Sequence, residues 1–427
     1  MFDCDVLIVG GGFGGAYAAR ELGRRLGYRA DRVVLVTPEN FLLFSPLLAE
    51  AASGTIEPRH AVVPLRPMLR RVHVITGVVS DLDVKARTAT AVDHAGVRHE
   101  LRFQALVLAP GSVPATLPIP GLAEEAVGFK TLPDAIWLRN RVLAQLEAAH
   151  DLPEGDLRRE LLTFTFVGGG YAGVEALAEL ESLTRDALHL YPRLRPVDLR
   201  WVLIEAQGTL LPSLSPKLAQ YALRHLRSRG VQVLLDTRLR YCVDKIVEVD
   251  SPSAIEPYRT GTLVWTTGQR PSTFVMSLGL ATDERGRVIV DEFLAVPGHD
   301  GVFALGDAAA VPDPDGGASP QTAQHAFREG ILAGRNVAAW LGHGDKAPFR
   351  YRDRGLAVTL GKRQGVAQVR GVTFSGFVAW WMGRSYHLLM IPGLARKARV
   401  VTDWTIALLF PRDIAQLGTL GSPTPLA

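Results

Sequence analysis

Two short apolar runs in this 427-residue chain are each followed by three consecutive glycines and then by a segment that favours helix. Residues 10–15 read GGGFGG after the run DVLIV, and residues 168–173 read GGGYAG after the run TFTFV. Both loops satisfy G-x-G-x-x-G, in which unpaired N–H groups at a helix N-terminus bind a pyrophosphate and glycines admit it closely. The chain is therefore predicted to contain two dinucleotide-binding units.

The spacing of the apolar runs predicts an α/β fold built on parallel sheets. Short runs rich in Val, Ile and Leu alternate with longer segments that favour helix, as in sheets covered by helices. We interpret the polar stretch AHDLPEGDLRRE, residues 149–160, as a linker into the second unit. The candidate strands are Val6–Val9, Val33–Val36, Leu106–Leu108, Leu161–Val167, Trp201–Ile204, Val231–Leu235, Leu263–Trp265 and Val302–Leu305.

The residue at the end of the second strand of each unit bears on the choice of nucleotide. In the second unit the run LRWVLI ends at Glu205, whose carboxylate can accept hydrogen bonds from both ribose hydroxyls and would repel a 2′-phosphate. This predicts NAD rather than NADP. In the first unit Thr37 occupies that place, and Glu39 is the nearest acid. Since Glu205 lies 32 residues after Gly173, the segment between them must be an extended helix or an excursion.

Two dinucleotide sites in one chain imply two different dinucleotides, and the fragment GVFALGDAAA indicates which. Gly306 and Asp307 follow the run that begins at Val302, and the fragment resembles the ALGD motif by which two-dinucleotide flavoproteins hold the ribityl chain of FAD. We therefore assign FAD to the first unit and NAD(H) to the second. The predicted domains are residues 1–150 and 286–347 for FAD, residues 151–285 for NAD(H), and a C-terminal region of residues 348–427.

Cysteine usage limits the chemistry that this architecture can perform. Cys4 and Cys242 are the two cysteines, and they lie 238 positions apart. Disulfide reductases and sulfide:quinone oxidoreductases share the architecture but need a pair of redox-active cysteines beside the flavin. We therefore exclude thiol chemistry, and no Cys/His cluster predicts a metal site.

From Asp5 to about Leu417 the chain resembles the type II NADH:quinone oxidoreductases, which do not pump protons. The resemblance rests on NFLLFSPLLAEAASG, LVLAPGSVP and VWTTGQRP, with Pro110 where the family usually has Thr. The family's quinone-side motif AQxAxQ is kept only in part, because Arg328 replaces its second Gln. The resemblance implies that the chain passes hydride from NADH to FAD and two electrons to a quinone.

The glycine loops and the resemblance together give the predicted site residues. Glu175 is placed beside the nicotinamide by the resemblance, and Gln324 toward the flavin and the electron acceptor. The predicted FAD contacts are Gly10, Gly12, Phe13, Gly14, Gly15, Thr37, Glu39, Pro46, Leu47, Val79, Ala109, Gly111, Gly306, Asp307, Ala323, Gln324 and His325. The predicted NAD(H) contacts are Gly168, Gly170, Tyr171, Gly173, Glu205 and Gly268.

The C-terminal region differs from the rest of the chain in charge. Residues 1–345 carry 35 Lys+Arg and 40 Asp+Glu, whereas residues 346–427 carry 12 and 3. Apolar residues fall on one helical face from Phe374, Pro392 and Gly393 break the helix, and a basic stretch continues through Val401, Trp404 and Leu408. Basic residues beside an apolar stripe predict a helix on an anionic membrane, and they also suit packing on the protein itself or on a second copy in a homodimer. No nucleic-acid motif accompanies the charge.

The start of the chain carries Asp3 and Asp5 where a secretory signal has basic residues, and no run of 18 uncharged apolar residues occurs. We therefore expect a cytoplasmic protein, peripheral on the cytoplasmic face of the membrane. Two alternatives stay open. One is a soluble NADH-dependent flavoprotein reductase with another acceptor, and the other is an NADH-sensing flavoprotein.

Overall fold

The structure, a computed structural model, describes residues 2–314, 316–351 and 355–416. The chain forms two compact units. The first consists of residues 1–43, 62–113 and 269–352, and the second of residues 44–61, 114–268 and 353–427.

The strands, in chain order, are β1 Phe2–Val9, β2 Val33–Thr37, β3 Phe41–Leu43, β4 Val62–Pro64, β5 His73–Asp83, β6 Thr88–Asp93, β7 Arg98–Leu108, β8 Ser112–Pro114, β9 Ala126–Gly128, β10 Thr163–Val167, β11 Arg200–Ile204, β12 Gln232–Leu234, β13 Arg238–Val243, β14 Ile246–Asp250, β15 Tyr258–Arg259, β16 Thr262–Trp265, β17 Gln269–Pro271, β18 Val288–Ile289, β19 Val302–Ala304, β20 Ala309–Ala310, β21 Gly355–Thr359, β22 Gly365–Val369 and β23 Val372–Ser375.

The α-helices are α1 Phe13–Leu26, α2 Leu48–Ala52, α3 Leu65–Met68, α4 Leu122–Glu125, α5 Leu132–Asp151, α6 Asp156–Leu161, α7 Tyr171–Ala187, α8 Pro216–Ser228, α9 Thr273–Met276, α10 Ala323–Trp340, α11 Gly376–Met390 and α12 Leu394–Leu409. Short 3₁₀ helices cover Gly27–Arg32, Ser45–Leu47, Pro58–Ala61, Leu188–Leu190, Pro196–Asp198 and Gly306–Ala308.

The first unit is built on a sheet of β1, β2, β5, β6, β7 and β19. Strand β1 pairs in parallel with β2 and β7, and β7 pairs in parallel with β19. The antiparallel strand β6 joins β5 to β7. The side chains of Val6, Leu7 and Ile8 are fully buried, which fits the continuous apolar run of a parallel strand covered on both faces.

The second unit contains a five-stranded parallel sheet in the order β12, β11, β10, β16, β9. Its core joins the sheet to a small antiparallel sheet of β13, β14 and β15 through buried residues that include Val202, Val247 and Leu263. The C-terminal part of this unit consists of the antiparallel sheet β21, β22 and β23, followed by α11 and α12.

The predicted α/β architecture is confirmed, and all eight predicted strands lie in these two sheets, each paired in parallel with a neighbour. The predicted linker of residues 149–160 is wrong, because α5 extends to Asp151 and α6 begins at Asp156. Arg158 and Glu160 of that stretch are buried. The segment before Glu205 combines the two expected forms, since α7 runs to Ala187 and short 3₁₀ turns follow.

The compact units change at Val113/Pro114 and at Gly268/Gln269, whereas the sequence placed its boundaries at 150/151 and 285/286. Helix α5 therefore lies in the second unit, although the sequence placed most of it before the boundary at 150/151. The assignment of each predicted stretch to FAD or NAD(H) stays a prediction.

Candidate functional site: two glycine loops

The first glycine loop connects β1 to α1 with little room for side chains. Gly10 has φ of +104°, and a Cβ built there would lie 2.2 Å from the Ala109 carbonyl oxygen. A Cβ on Gly15 would lie 1.9 Å from the Gly10 carbonyl oxygen, and one on Gly14 would lie 2.6 Å from Leu305 Cδ1. Packing alone therefore requires glycine at Gly10 and Gly15, where the nearest atoms are backbone, whereas the Leu305 side chain could move away from a Cβ on Gly14.

The second loop, between β10 and α7, repeats this geometry in the second unit. Gly168 has φ of +117°, and its Cβ would lie 2.5 Å from Thr266 Oγ1. A Cβ on Gly173 would lie 2.1 Å from the Gly168 carbonyl oxygen. The two loops are thus equivalent, residue for residue, at their first and last glycines.

The third glycine of each loop is different, because packing does not require it. Gly12 and Gly170 cap their helices in extended conformation, with φ of −70° and −76°. A Cβ built on either residue meets nothing within 4 Å. A glycine that faces open space at a helix N-terminus leaves its N–H groups accessible to an anion, so both loops fit a dinucleotide pyrophosphate. Phe13 and Tyr171, the first residues of α1 and α7, are half-buried beside these glycines.

Thr37 and Glu205 occupy equivalent places in the two units, each against the second glycine of its loop. Thr37 Oγ1 lies 2.4 Å from a Cβ built on Gly11, and Glu205 Oε2 lies 2.9 Å from one built on Gly169. Glu205 Oε2 accepts a hydrogen bond from Gly169 N at 2.5 Å, and Glu205 Oε1 accepts one from Gln207 N at 2.7 Å. These bonds fix the carboxylate beside the loop, where each oxygen retains a lone pair for a ribose hydroxyl.

Asp307 lies in the first unit after β19, which pairs with β7. Its Oδ2 accepts a hydrogen bond from Ser112 Oγ at 2.6 Å, and its carbonyl accepts one from Gln321 Nε2 at 2.7 Å. Gly306 has φ of +68°, and its N–H donates to Glu329 Oε2 at 2.7 Å. Burial, with Asp307 nearby, raises the pKa of Glu329 to about 7.

Helix α10 begins beside this turn with Ala323, Gln324 and His325. The N-cap Thr322 hydroxyl lies 2.8 Å from His325 Nδ1, and His325 is buried with its ring edge-on to Tyr351. Tyr351 OH donates to Gln324 Oε1 at 2.9 Å. Gln324 is therefore oriented by Tyr351, and His325 stabilises the start of the helix.

Four further predicted FAD positions lie in the first unit. Gly111 has φ of +74° and, like Gly12, a Cβ that would meet nothing within 4 Å. Val79 is half-buried in β5, and Glu39 is exposed beyond β2. Ala109 is buried against Gly10. Their roles as FAD contacts stay predictions.

Pro46 and Leu47 lie in the second unit, in the short 3₁₀ helix before α2. Leu47 is fully buried, and Pro46 is half-buried. Gly268, predicted to contact NAD(H), follows β16 of this unit and has φ of +72°. These positions also stay predictions.

Glu175 lies on α7, two residues beyond the second loop. Its Oε1 accepts hydrogen bonds from Thr359 N at 2.8 Å and from Thr359 Oγ1 at 3.2 Å. Burial raises the pKa of this carboxyl to about 8, with the nearby Glu179 and Glu50 adding to the rise. A carboxyl that is mostly protonated near neutral pH can donate a proton or a hydrogen bond.

Sequence reasoning missed Ser112, Thr359 and Glu329 as partners of predicted site residues. Ser112 directly follows Gly111 in the motif that carried the resemblance, so that motif held a usable signal. Thr359 lies 184 positions from Glu175, and no local pattern indicates the contact.

Both cysteines are free and buried, Cys4 in β1 and Cys242 in β13. Burial raises the pKa of the Cys4 thiol to about 12 and that of the Cys242 thiol to about 11. Such thiols carry almost no thiolate at neutral pH and are poor nucleophiles.

The C-terminal helices end and begin where the sequence predicts, at Met390 and Leu394. Trp404 of the apolar stripe is buried, with its Nε1 donating to Glu50 Oε2 at 2.5 Å, so it packs on the protein itself, one of the arrangements that the sequence left open. Arg384, which interrupts the apolar run, is buried as well, and its guanidinium lies over the rings of Trp380 and Trp404. The periodicity could not indicate that a buried carboxylate requires these partners.

The whole-chain comparisons agree with this geometry. A profile of the family described as pyridine nucleotide-disulphide oxidoreductase matches residues 4–330. The type II NADH:quinone oxidoreductase Ndh of Mycobacterium tuberculosis is 31% identical over 421 residues, which cover 95% of this chain and 88% of that protein. The chain therefore belongs to the pyridine nucleotide-disulphide oxidoreductase family, and within it to the type II NADH:quinone oxidoreductases.

A further relative and a solved structure extend the comparison. The mitochondrial internal alternative NAD(P)H-ubiquinone oxidoreductase A1 of Arabidopsis thaliana is 29% identical, with 96% of this chain and 85% of that protein covered. The structure of NDH2 from Plasmodium falciparum in complex with NADH superposes with a TM-score of 0.87 at 17% identity, covering 96% of this chain and 99% of that one. At that identity the superposition establishes the shared fold.

Proposed function

We propose that the chain oxidises NADH and reduces a quinone without pumping protons: NADH, one proton and a quinone become NAD⁺ and a hydroquinone. The observation that carries this proposal is the pair of equivalent glycine loops, each with an open third glycine at a helix N-terminus. Steady-state NADH oxidation with a panel of quinones, in detergent and with liposomes, tests it. NADH consumption that depends on an added quinone is expected.

FAD fits the first unit, where the loop at Gly12 would hold the pyrophosphate and the turn at Asp307 the ribityl chain. Bound FAD would accept a hydride from NADH and pass two electrons to the acceptor. Ser112 holds the Asp307 carboxylate in one orientation, and Gln321 holds its backbone. The first unit thus positions the group through fixed hydrogen bonds.

NADH fits the second unit, with its pyrophosphate on the loop at Gly170 and its adenosine ribose on Glu205. The Glu205 carboxylate is fixed by two backbone N–H groups, so it cannot swing away from a 2′-phosphate without losing both bonds. This supports a preference for NADH over NADPH.

We propose that Glu175 lies beside the reacting nicotinamide of NADH and that Gln324 lies beside the flavin and the electron acceptor. Glu175, with its raised pKa, would stand protonated beside the nicotinamide. Gln324, oriented by Tyr351, would face the flavin and the acceptor with the backbone of Ala323. In this division, residues 1–150 and 286–347 serve FAD and residues 151–285 serve NAD(H).

We also propose that α11 and α12 dock on an anionic membrane, with the protein peripheral on the cytoplasmic face. Apolar side chains on both helices are exposed, among them Trp381 at 59%, Leu389 at 73% and Leu394 at 85%. Residues 346–427 carry 12 Lys+Arg against 3 Asp+Glu, which favours an anionic surface over an apolar protein face. No helix within the described ranges combines the length and apolar character needed to cross a bilayer. The alternative is a homodimer that buries the same apolar side chains, in which case the protein would not bind anionic vesicles.

A further inference from the structure

Arg328 lies on α10, one helical turn after Gln324, and its guanidinium is held in a defined place. Its Cζ lies 4.0 Å from the centre of the Tyr351 ring, in a cation–π contact. Its Nη1 donates to the Gln324 carbonyl oxygen at 2.9 Å. Tyr351 in turn donates to Gln324 Oε1 at 2.9 Å. The three side chains therefore form one connected group.

The charge of Arg328 is not neutralised by a carboxylate in the described part of the chain. No ion pair there includes this residue, and one hydrogen bond uses one of its five N–H donors. The adjacent Glu329 is buried, and it accepts a hydrogen bond from Gly306 N rather than from Arg328. Arg328 is half-buried, so part of its side chain remains open to solvent.

The start of α10 is packed against the first glycine loop within the same unit. A Cβ on Gly330 would lie 2.3 Å from the Gly14 carbonyl oxygen, and Phe327 packs edge-on against Tyr17 at 4.4 Å. Gln321 donates to the Asp307 carbonyl at 2.7 Å. Arg328 thus belongs to the helix turn that is fixed to the proposed FAD cradle, where the positive end of the helix dipole adds to its charge.

We propose that Arg328 determines acceptor specificity, and that it favours quinones with an anionic oxygen on the ring over neutral quinones of the same shape. This inference rests on the proposed function. A guanidinium that is stacked and already oriented offers planar N–H donors to such an oxygen at small cost in side-chain entropy. The electron balance is that of the proposed reaction, since the anionic quinone also takes up two electrons and two protons.

The test compares two acceptors that differ in charge at one ring position: 2-hydroxy-1,4-naphthoquinone in its ionised form and the neutral 2-methoxy-1,4-naphthoquinone. The ratio of their kcat/KM values is measured per bound flavin for wild type, Arg328→Gln, Arg328→Lys and Arg335→Gln. The quinones' own potentials cancel when this ratio is compared between variants. Arg335 is the matched control, because it lies on the same helix and donates to the Asp345 carbonyl.

We expect Arg328→Gln to lower the ratio of anionic to neutral acceptor by about tenfold, which corresponds to about 1.4 kcal/mol. Arg328→Lys should retain a large part of the preference, and Arg335→Gln all of it. Added salt should weaken the wild-type preference. If Arg328→Gln folds poorly, the lysine variant and the salt dependence still decide the question.

Two failures are distinguishable. An unchanged ratio in Arg328→Gln, or a wild-type ratio that salt does not alter, overturns the role of Arg328 and leaves the proposed function intact. Wild-type protein with bound flavin that oxidises NADH with neither quinone contradicts the proposed function itself.

Discussion

Glu50 Oε1 accepts a hydrogen bond from Arg384 Nε at 3.1 Å, and both side chains are buried in the second unit. Glu50 lies on α2, directly after the segment with Pro46 and Leu47, and Arg384 lies on α11. Burial raises the pKa of the Glu50 carboxyl, and Arg384 opposes that rise. The pair therefore joins the predicted flavin-lining segment to the C-terminal helices.

Arg384→Met should destabilise the protein by about 3–5 kcal/mol, because it leaves a buried carboxylate without its cation. The double variant Arg384→Met/Glu50→Gln should recover a large part of the lost unfolding free energy. Denaturant unfolding of the single and double variants measures both effects. Arg24→Met, which breaks an exposed pair with Glu21, is the control and should leave the unfolding midpoint nearly unchanged. Equal midpoints for Arg384→Met and Arg24→Met would contradict the structure of this pair.

The raised pKa of Glu175 predicts a pH-dependent stability difference. Folded protein holds this proton up to about pH 8, whereas the unfolded chain releases it near the ordinary value of 4.5. The group's contribution to stability is therefore full below about pH 4.5 and is lost as pH rises toward 8. Glu175→Gln cannot ionise, so its stability relative to wild type should increase across this window.

Unfolding midpoints of wild type and Glu175→Gln between pH 5 and pH 8.5 provide the measurement. Thr359→Val serves as the companion variant, because loss of the Thr359 Oγ1 hydrogen bond should raise the pKa of Glu175 further. A difference between wild type and Glu175→Gln that stays constant with pH would show that the carboxyl ionises normally.

Gly12→Val should fold but lose FAD, because the new side chain would project into open space where the pyrophosphate is expected. Purified protein should be pale, with the flavin-to-protein absorbance ratio reduced. Gly23→Ala is the matched control on α1, since its Cβ would meet only Val72 Cγ2 at 3.5 Å. A Gly12→Val protein with full yellow colour and normal NADH turnover would refute the role of the first loop.

Glu205→Gln should narrow the preference for NADH over NADPH, by about tenfold for each 1.4 kcal/mol of lost discrimination. The reason is that Gln removes the negative charge that repels a 2′-phosphate. The measurement is kcat/KM for both nucleotides in wild type and variant. Wild-type protein that uses NADPH as readily as NADH would contradict the proposed role of Glu205 at the adenosine ribose.

Charge reversal on α12 tests membrane docking. Arg396 donates to the Arg59 carbonyl and Lys397 to the Leu389 carbonyl, so charge reversal at either residue also disturbs packing.

Arg399 is exposed, and Arg399→Glu should weaken binding to anionic vesicles on the order of tenfold or more. Arg285→Glu, on an exposed turn of the first unit, is the control. Co-sedimentation at low and high salt measures binding, and wild-type protein that stays in the supernatant at both would exclude docking.

The sequence predicted the strands of the parallel sheets because such strands are buried on both faces and form continuous apolar runs. Strand β6, with the sequence TATAVD, and the strands β21 to β23 lack that signal, since antiparallel strands expose one face. The glycine loops were predictable because the G-x-G-x-x-G spacing lies within six residues, and so does the close approach of Gly15 to Gly10 and of Gly173 to Gly168.

Long-range partners were not predictable for the opposite reason. Arg384 and Glu50 are 334 positions apart, and neither residue's neighbours indicate the other. The apolar spacing around Trp404 was correct, but the side of the helix that faces protein is decided by Glu50. Periodicity gives the face that residues share, and the buried charge determines which face turns inward.

Anaerobic stopped-flow absorbance shows whether the flavin carries electrons from NADH to a quinone. Protein with bound flavin is first reduced with one equivalent of NADH and then mixed with a quinone or with another acceptor. We predict rapid flavin reduction in the first mixing and rapid reoxidation by the quinone in the second. A reduced flavin that persists for minutes in the presence of quinone, or that reoxidises only with another acceptor, would contradict this prediction.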